Sequence, residues 1–267
     1  MMKHAEKHIL KSQDFEMDYV SFGTGRRKLV LIPGLSLRDV RDSALMLASM
    51  YRIFAKDYKV YVFDRRRRLS EGYTVRDMAC DTACAMRMLN IENADVFGIS
   101  QGGMIAQYLA IDSPELVHTI VLGVTASRQN TAISEVVGNW IQMAQADDFE
   151  TLIMDMMEKI YSQAYIKKYG RFFPALSKML KPKDPARFLM NARACLTCSS
   201  YDELCKIQCP AFVLGGRKDK VVTGEASEEI AAQLGCSIYM YDHLGHSAYE
   251  EARDFNSRVY NFLISNR

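Results

Sequence analysis

A serine set between two glycines, where the chain must turn from strand to helix, constrains this sequence more than any other feature. The segment is Gly98-Ile99-Ser100-Gln101-Gly102. It follows the apolar run Ala94-Asp95-Val96-Phe97 and precedes Gly103-Met104-Ile105-Ala106-Gln107-Tyr108-Leu109-Ala110, which reads as a helix. A turn this tight has no room for side chains two residues before and two residues after the serine. The serine itself is held in strained backbone geometry with its hydroxyl pointing out of the fold, the arrangement of a nucleophile elbow. The N–H groups that open the next helix aim at the same spot, where a developing oxyanion would be stabilised.

A serine hydroxyl is a poor nucleophile at neutral pH and needs an adjacent base, which in turn needs an orienting acid. Elbow-type sites supply these in the chain order serine, acid, histidine. Asp219 follows the strand-like run Ala211-Phe212-Val213-Leu214-Gly215, and His246 lies in Leu244-Gly245-His246-Ser247, just after the strand-like Ser237-Ile238-Tyr239-Met240-Tyr241. His243, His118, His4 and His8 compete with His246, and Asp242 and Asp202 compete with Asp219. Asp242 is too close in sequence to the histidine to reach its far nitrogen easily, and the two N-terminal histidines read as preceding the fold.

In these residues the sequence resembles the α/β-hydrolase family, and the resemblance covers nearly the whole chain. Leu31-Ile32-Pro33-Gly34-Leu35 is similar to the family's oxyanion loop after its third strand, with Pro33 where histidine is usual. Because the oxyanion donor there is a backbone N–H, Leu35 can still supply it. Val60-Tyr61-Val62-Phe63-Asp64-Arg65-Arg66 is similar to the fourth strand and its turn, but Arg67, Arg68, Leu69 and Ser70 replace the glycines and serine of relatives. The resemblance implies Ser100 as nucleophile, Asp219 as the acid on the loop after the seventh strand, and His246 as the base. Gly245 before His246 and the helix-like Tyr249-Glu250-Glu251-Ala252 after it match the family. The backbone N–H groups of Leu35 and Gln101 are implied as oxyanion donors. The activity implied is that of a serine hydrolase cleaving a small carboxylic ester or related acyl bond through an acyl-enzyme on Ser100, with no metal or organic cofactor. A small-molecule receptor that keeps a hydrolase-type pocket and turns over slowly or once is the alternative of another class.

The apolar periodicity fits that architecture. Phe15 to Phe22, Lys28 to Ile32, Lys59 to Phe63, 94–98 and His118 to Leu122 read as strands, and Asp42 to Lys56 reads as a helix. Thr74-Val75-Arg76-Asp77 is a capping box that opens another helix. Strands alternating with helices predict an α/β fold, a mostly parallel sheet covered on both faces. Between about Ser127 and Gln208 the strand-like runs stop, and Ile133 to Ala146, Phe149 to Tyr161 and Ala186 to Cys195 read as helices. The expected organisation is a hydrolase core of 1–126 and 209–267 with a helical cap, 127–208, inserted between the sixth and seventh strands. Trp140, Met143, Met154, Met157, Phe172 and Phe173 could line its pocket or simply pack between helices. This block tilts the expected small-molecule substrate toward the apolar.

Composition narrows the remaining classes. The net charge of +2 gives no electrostatic case for nucleic acid or anionic membranes, and no apolar stretch approaches transmembrane length. The segment Met1 to His8 lacks the apolar core of a signal peptide, so the expected location is the cytoplasm. Seven cysteines, an odd number, do not read as a disulfide framework. Cys195, Cys198, Cys205 and Cys209 could in principle form a tetrahedral zinc site, but they read better as small apolar residues beside a strand. The run Arg65 to Arg68 reads as a solvated turn, with an anionic-substrate site as the competing reading.

Overall fold

The computed structural model describes residues 5–13 and 15–267. His4, one of the competing histidines, lies outside the described residues. In chain order the elements are β1 (Glu6–Lys11), β2 (Glu16–Phe22), β3 (Arg27–Ile32), α1 (Ala44–Met50), β4 (Tyr58–Arg66), α2 (Val75–Met88), β5 (Ala94–Ile99), α3 (Gln101–Asp112) and β6 (Val117–Gly123). Then follow α4 (Thr131–Gln145), α5 (Phe149–Ile160), α6 (Gln163–Tyr169), α7 (Phe173–Met179) and α8 (Pro185–Cys195). The chain ends with β7 (Ala211–Gly216), α9 (Gly224–Leu234), β8 (Ser237–Tyr241), α10 (Ala248–Glu251) and α11 (Phe255–Ser265).

The strands form one sheet in the order β1-β2-β4-β3-β5-β6-β7-β8. Pairing is antiparallel for β1–β2 and β2–β4 and parallel for every other neighbour. Side chains along a strand alternate between faces, so each central strand feeds two cores. In β3, Val30 and Ile32 join the core beneath α2 and α3, while Leu29 and Leu31 join the core beneath α1 and α11. In β5, Val96 takes the first side, and Phe97 and Ile99 take the second. Burial on both faces explains why these strands read as near-continuous apolar runs.

The capping box at the start of α2 forms as the sequence indicates. The Asp77 N–H donates to Thr74 Oγ1 at 3.1 Å, and the Thr74 N–H donates to the Asp77 carboxylate at 2.8 Å. Two expectations are corrected. The helix expected over Asp42 to Lys56 stops after Met50 and gives way to a single 3₁₀ turn over Arg52–Phe54. There Tyr51, Phe54 and Tyr58 pack ring against ring under the sheet, and that packing overrides helix continuation. The other correction concerns His8, which does not precede the fold. It lies in β1, stacks on Tyr19 at 4.5 Å and shares a 3.0 Å hydrogen bond with Ser21.

The buried carboxylate of Asp95, on β5, accepts from Arg27 at 2.9 Å and from Thr119 at 2.7 Å, tying β3 and β6 to the central strand. Asp95 is 1 % exposed, so Arg27→Met strands a charge in the core. The expected loss is about 3 kcal/mol, read as a lower denaturation midpoint at unchanged slope. A midpoint within error of the parent would show that Thr119 and solvent suffice for Asp95.

Candidate active site

The elbow is set by contact between backbones. A Cβ at Gly102 would lie 1.9 Å from the Ile32 carbonyl oxygen, and one at Gly98 would lie 2.4 Å from the Gly102 carbonyl oxygen. Only hydrogen fits at either position. Ser100 accordingly sits at φ +53, ψ −121, a region that L-residues seldom occupy, and caps the N-terminus of α3. Two hydrogen bonds hold it there: the Ser100 N–H donates to the Gly123 carbonyl at 2.9 Å, and Thr125 Oγ1 donates to the Ser100 carbonyl at 2.6 Å.

Ser100, His246 and Asp219 come together from three separate loops. The Ser100 hydroxyl lies 2.9 Å from His246 Nε2, and His246 Nδ1 lies 2.8 Å from Asp219 Oδ2. The carboxylate accepts from the Nδ1–H, which leaves Nε2 as the acceptor for the hydroxyl proton. The other carboxylate oxygen of Asp219 accepts from the N–H groups of Val221 and Val222 at 2.7 and 3.0 Å, so its orientation is fixed on both sides. The side chains of His246 and Asp219 are 6 % and 1 % exposed. The competing residues stand elsewhere. His243 is exposed, His118 bonds the Asn266 carbonyl at the far end of β6, and Asp242 pairs with Arg217 on the surface. Asp202 is exposed in the 3₁₀ turn over Tyr201–Lys206.

Leu35 and Gln101 line the same chamber as Ser100 and His246. The remaining walls are mainly apolar, with Met104, Ile133, Val137, Trp140, Met156 and Ile160 among them, and the volume is about 50 Å³. Of the six candidate pocket residues in the inserted block, Trp140 alone faces this chamber among the described residues, anchored by its indole N–H to Asp155 at 2.8 Å. Phe173 is buried in the core, and Phe172 is 53 % exposed. Helical spacing cannot separate residues that face a pocket from residues that face a neighbouring helix.

Arg65 overturns the expectation of a solvated turn, being only 5 % exposed at the end of β4. Its guanidinium donates to the Pro33 carbonyl at 2.6 Å and to Gln101 Oε1 at 3.1 and 3.2 Å. Burial pulls its pKa down to about 10, still cationic at neutral pH. The Gln101 side chain passes the connection on, donating to the Asn191 carbonyl at 2.6 Å and to Cys195 Sγ at 3.1 Å, both on α8. The rest of the run is also engaged. Arg67 pairs with Asp18 and Glu16, Arg66 stacks over Phe15, and of the four only Arg68 is exposed. Four consecutive arginines look alike in composition, and only the register of β4 singles out Arg65.

Beside the chamber lies a larger cavity of about 160 Å³ that does not reach Ser100. Gly34, Leu35, Gln101 and Tyr249 line both spaces. The four clustered cysteines stand apart from one another in character: Cys195 and Cys198 are buried, Cys209 is half-buried and Cys205 is exposed. Among the described residues, no three His, Cys, Asp or Glu side chains gather into a group able to hold a metal.

A family model described as the alpha/beta hydrolase fold matches residues 29–253. Among curated proteins, the chain is 27 % identical to a 2-hydroxy-6-oxo-6-phenylhexa-2,4-dienoate hydrolase of Comamonas testosteroni, over 98 % of this chain and 94 % of that one. It is 21 % identical to 3-oxoadipate enol-lactonase 2 of Acinetobacter baylyi, over 91 % of this chain and 87 % of that one. Among solved structures, the enol-lactonase from Burkholderia xenovorans superposes with a TM-score of 0.83 at 21 % identity, over 96 % of this chain and all of the other.

The cysteines give a direct check of how tightly the end of α8 seats on the core. Burial pushes the Cys195 thiol up to about 12 and the Cys198 thiol up to about 11. A thiol reacts as its thiolate, so iodoacetamide at pH 8 is expected to alkylate exposed Cys80 and Cys205 in the native protein. Cys195 and Cys198 are expected to label only after unfolding. Peptide mapping reads both, and rapid native labelling of Cys198, which borders neither cavity, would show that the chain at the end of α8 opens away from the core.

Proposed function

Since the chain belongs to the alpha/beta hydrolase family, we propose that it is a serine hydrolase that cleaves a small carboxylic ester or related acyl bond through an acyl-enzyme on Ser100. The observation that carries this reading is the unbroken hydrogen-bond chain Asp219–His246–Ser100, with links of 2.8 and 2.9 Å. In the reaction, Ser100 Oγ attacks the carbonyl carbon while His246 Nε2 takes the hydroxyl proton. The tetrahedral intermediate then collapses, the bond to the leaving group breaks, and His246 returns the proton to the departing oxygen. A water activated by the same imidazole adds to the acyl carbon, and the Ser100 ester is cleaved to carboxylic acid and free enzyme. Asp219 holds the imidazole in the tautomer that can accept from Ser100 and stabilises the imidazolium.

The oxyanion is assigned to the N–H groups of Leu35 and Gln101, each worth roughly 3 kcal/mol in sites of this kind. Their lining of the Ser100 chamber supports the assignment, as does the way Arg65 pins Pro33 and Gln101 together. Arg65 then acts as a positioning residue: it touches the supports of both donors. The block 127–208 serves as a cap over a core of 1–126 and 209–267, supported by the placement of α4 and α5 side chains in the chamber wall. The cytoplasm remains the proposed location, and seven free thiols suit a reducing compartment. Among the described residues, no helix is long and apolar enough to cross a membrane.

A fluorophosphonate probe tests the nucleophile, because only an activated serine attacks phosphorus quickly. Labelling at Ser100 and multiple turnovers of 4-nitrophenyl acetate are the expected results, with both lost in Ser100→Ala. Labelling that survives the substitution would overturn the assignment, and a single turnover would favour the receptor reading.

The acid is tested by comparing two carboxylates. Asp219→Asn is expected to lower kcat about 10⁴-fold, because the amide favours the wrong imidazole tautomer. Asp242→Asn, altered on the surface, is expected to stay within a few-fold of the parent. Equal effects would mean that Asp219 does not orient His246.

A further inference from the structure

His246 stands on a loop that is held from two sides. On one side the Lys218 N–H donates to the Leu244 carbonyl at 3.0 Å. Gly216 packs against Gly245 there, so closely that a Cβ on it would lie 2.2 Å from the Gly245 carbonyl oxygen. These contacts come from the end of β7 and the segment after it, which also carries Asp219. On the other side the Ser247 N–H donates to the Ile160 carbonyl at 2.9 Å. Ile160 is the last residue of α5, in the inserted block, and it lines the Ser100 chamber. The last carbonyls of a helix have no partner within it, so this one is free to accept.

The corner between α5 and α6 is fixed in turn by Glu251, on α10. Ser162 caps α6, and its Oγ accepts from the Tyr165 N–H at 3.2 Å. In a capping box the third helical residue reciprocates, a Glu or Gln side chain accepting from the cap residue's own N–H. Here the third residue is Tyr165, which stacks on Tyr161 at 4.2 Å instead. Glu251, 89 residues beyond Ser162, fills the vacant place. One of its carboxylate oxygens accepts from the Ser162 N–H at 2.9 Å, and the other accepts from the Ser162 hydroxyl. Beside it the Tyr161 hydroxyl donates to Glu250 at 2.7 Å. Glu251 and Ser247 share one turn of backbone, closed by the bond from the Glu251 N–H to the Ser247 carbonyl at 3.0 Å. The Ile160–Ser247 and Ser162–Glu251 contacts therefore span the same joint.

We infer that Glu251 is a positioning residue for His246, a role that rests on the reading of His246 as the base for Ser100. Glu251 lines neither the chamber nor the larger cavity beside it. By completing the cap of α6 it holds the α5–α6 corner, and the Ile160 carbonyl of that corner holds the residue next to His246. The imidazole is thereby kept where Nε2 stands 2.9 Å from the Ser100 hydroxyl. The inserted block then contributes to the activation of the serine, and not only to the walls around a substrate.

Turnover of 4-nitrophenyl acetate tests this, measured well below the melting midpoint of each variant. Glu251→Ala removes both contacts and is expected to lower kcat about 10-fold or more with KM within about two-fold, because what is lost is alignment at the reacting atoms. The rate of labelling by a small fluorophosphonate is expected to fall with kcat. Glu251→Gln keeps both contacts, its Oε1 accepting from the N–H and its Nε2–H donating to the hydroxyl oxygen, and is expected to stay within about two-fold of the parent. A folded Glu251→Ala with the parent's kcat overturns the role, whether or not its KM or melting midpoint has moved. A kcat lost equally in Glu251→Gln overturns it too, since the contacts would then not explain the loss. Should Glu251→Ala fail to fold, Glu251→Asp, with its carboxylate one methylene further from Ser162, is read against Glu251→Gln on the same terms. Ser100→Ala is measured alongside. Turnover that survives Ser100→Ala overturns the nucleophile and the positioning role together, whereas Ser100-dependent turnover that Glu251→Ala leaves unchanged overturns the positioning role alone.

Discussion

Where the first turn of α3 presses on the end of β3, the two backbones approach so closely that only glycine fits, and the rest of the site follows from that contact. With Gly102 against the Ile32 carbonyl and Gly98 against the Gly102 carbonyl, the chain has one way to pass from β5 into α3. That path forces Ser100 to positive φ and turns its hydroxyl toward His246 Nε2. It also brings the β3 loop beside the start of the helix, so that Gly34 and Leu35 border the serine. Strain of this kind costs of order 1–3 kcal/mol and persists only where the surroundings over-determine it. Here they do, through the sheet on one side and the hydrogen bonds from Ser100 to Gly123 and from Thr125 to Ser100 on the other.

A buried cation reinforces the same junction. A guanidinium taken out of water loses several kcal/mol of solvation, which only well-aimed partners can offset. Arg65 finds them in the Pro33 carbonyl and the Gln101 side chain, with the Asp64 carboxylate nearby. Gln101 and Arg187 extend the network into α8, the former through the Asn191 carbonyl and the latter through Asp64. Apolar contacts alone would let α8 slide along the core with little change in energy. A directed polar contact at each end fixes its register, because every displaced partner would be left buried and unpaired.

The parts of this protein that were legible in the sequence are those governed by local rules. Two glycines around a serine, a capping box, and apolar runs at strand spacing each report a backbone geometry within a few residues, and the mostly parallel sheet and the elbow followed from them. The parts that were not legible depend on partners far away in the chain. β1 has an exposed edge and weak alternation, and it exists because β2 offers an open side for pairing. Arg65 shares its composition with three neighbours, and its burial is decided by Pro33, Gln101 and the strand register. The same holds within the inserted block. Trp140 reaches the chamber while Phe172 reaches solvent, and nothing in the local pattern of either announces the difference.

The two sides of the junction also differ in dielectric character, and the difference matches the work proposed for each. On the Ser100 side the walls are mainly apolar, which lowers the local dielectric and strengthens the field of a fixed carboxylate. The Asp219 carboxylate that faces His246 is fixed in advance, because its other oxygen already accepts from two backbone N–H groups. Charged side chains gather instead behind the loop of Pro33 to Leu35, where the carboxylates of Asp64 and Asp39 balance the guanidinium groups of Arg65 and Arg187. Placed one residue layer away, this network braces the Pro33 carbonyl and the Gln101 side chain through Arg65, and none of its charged members lines the Ser100 chamber.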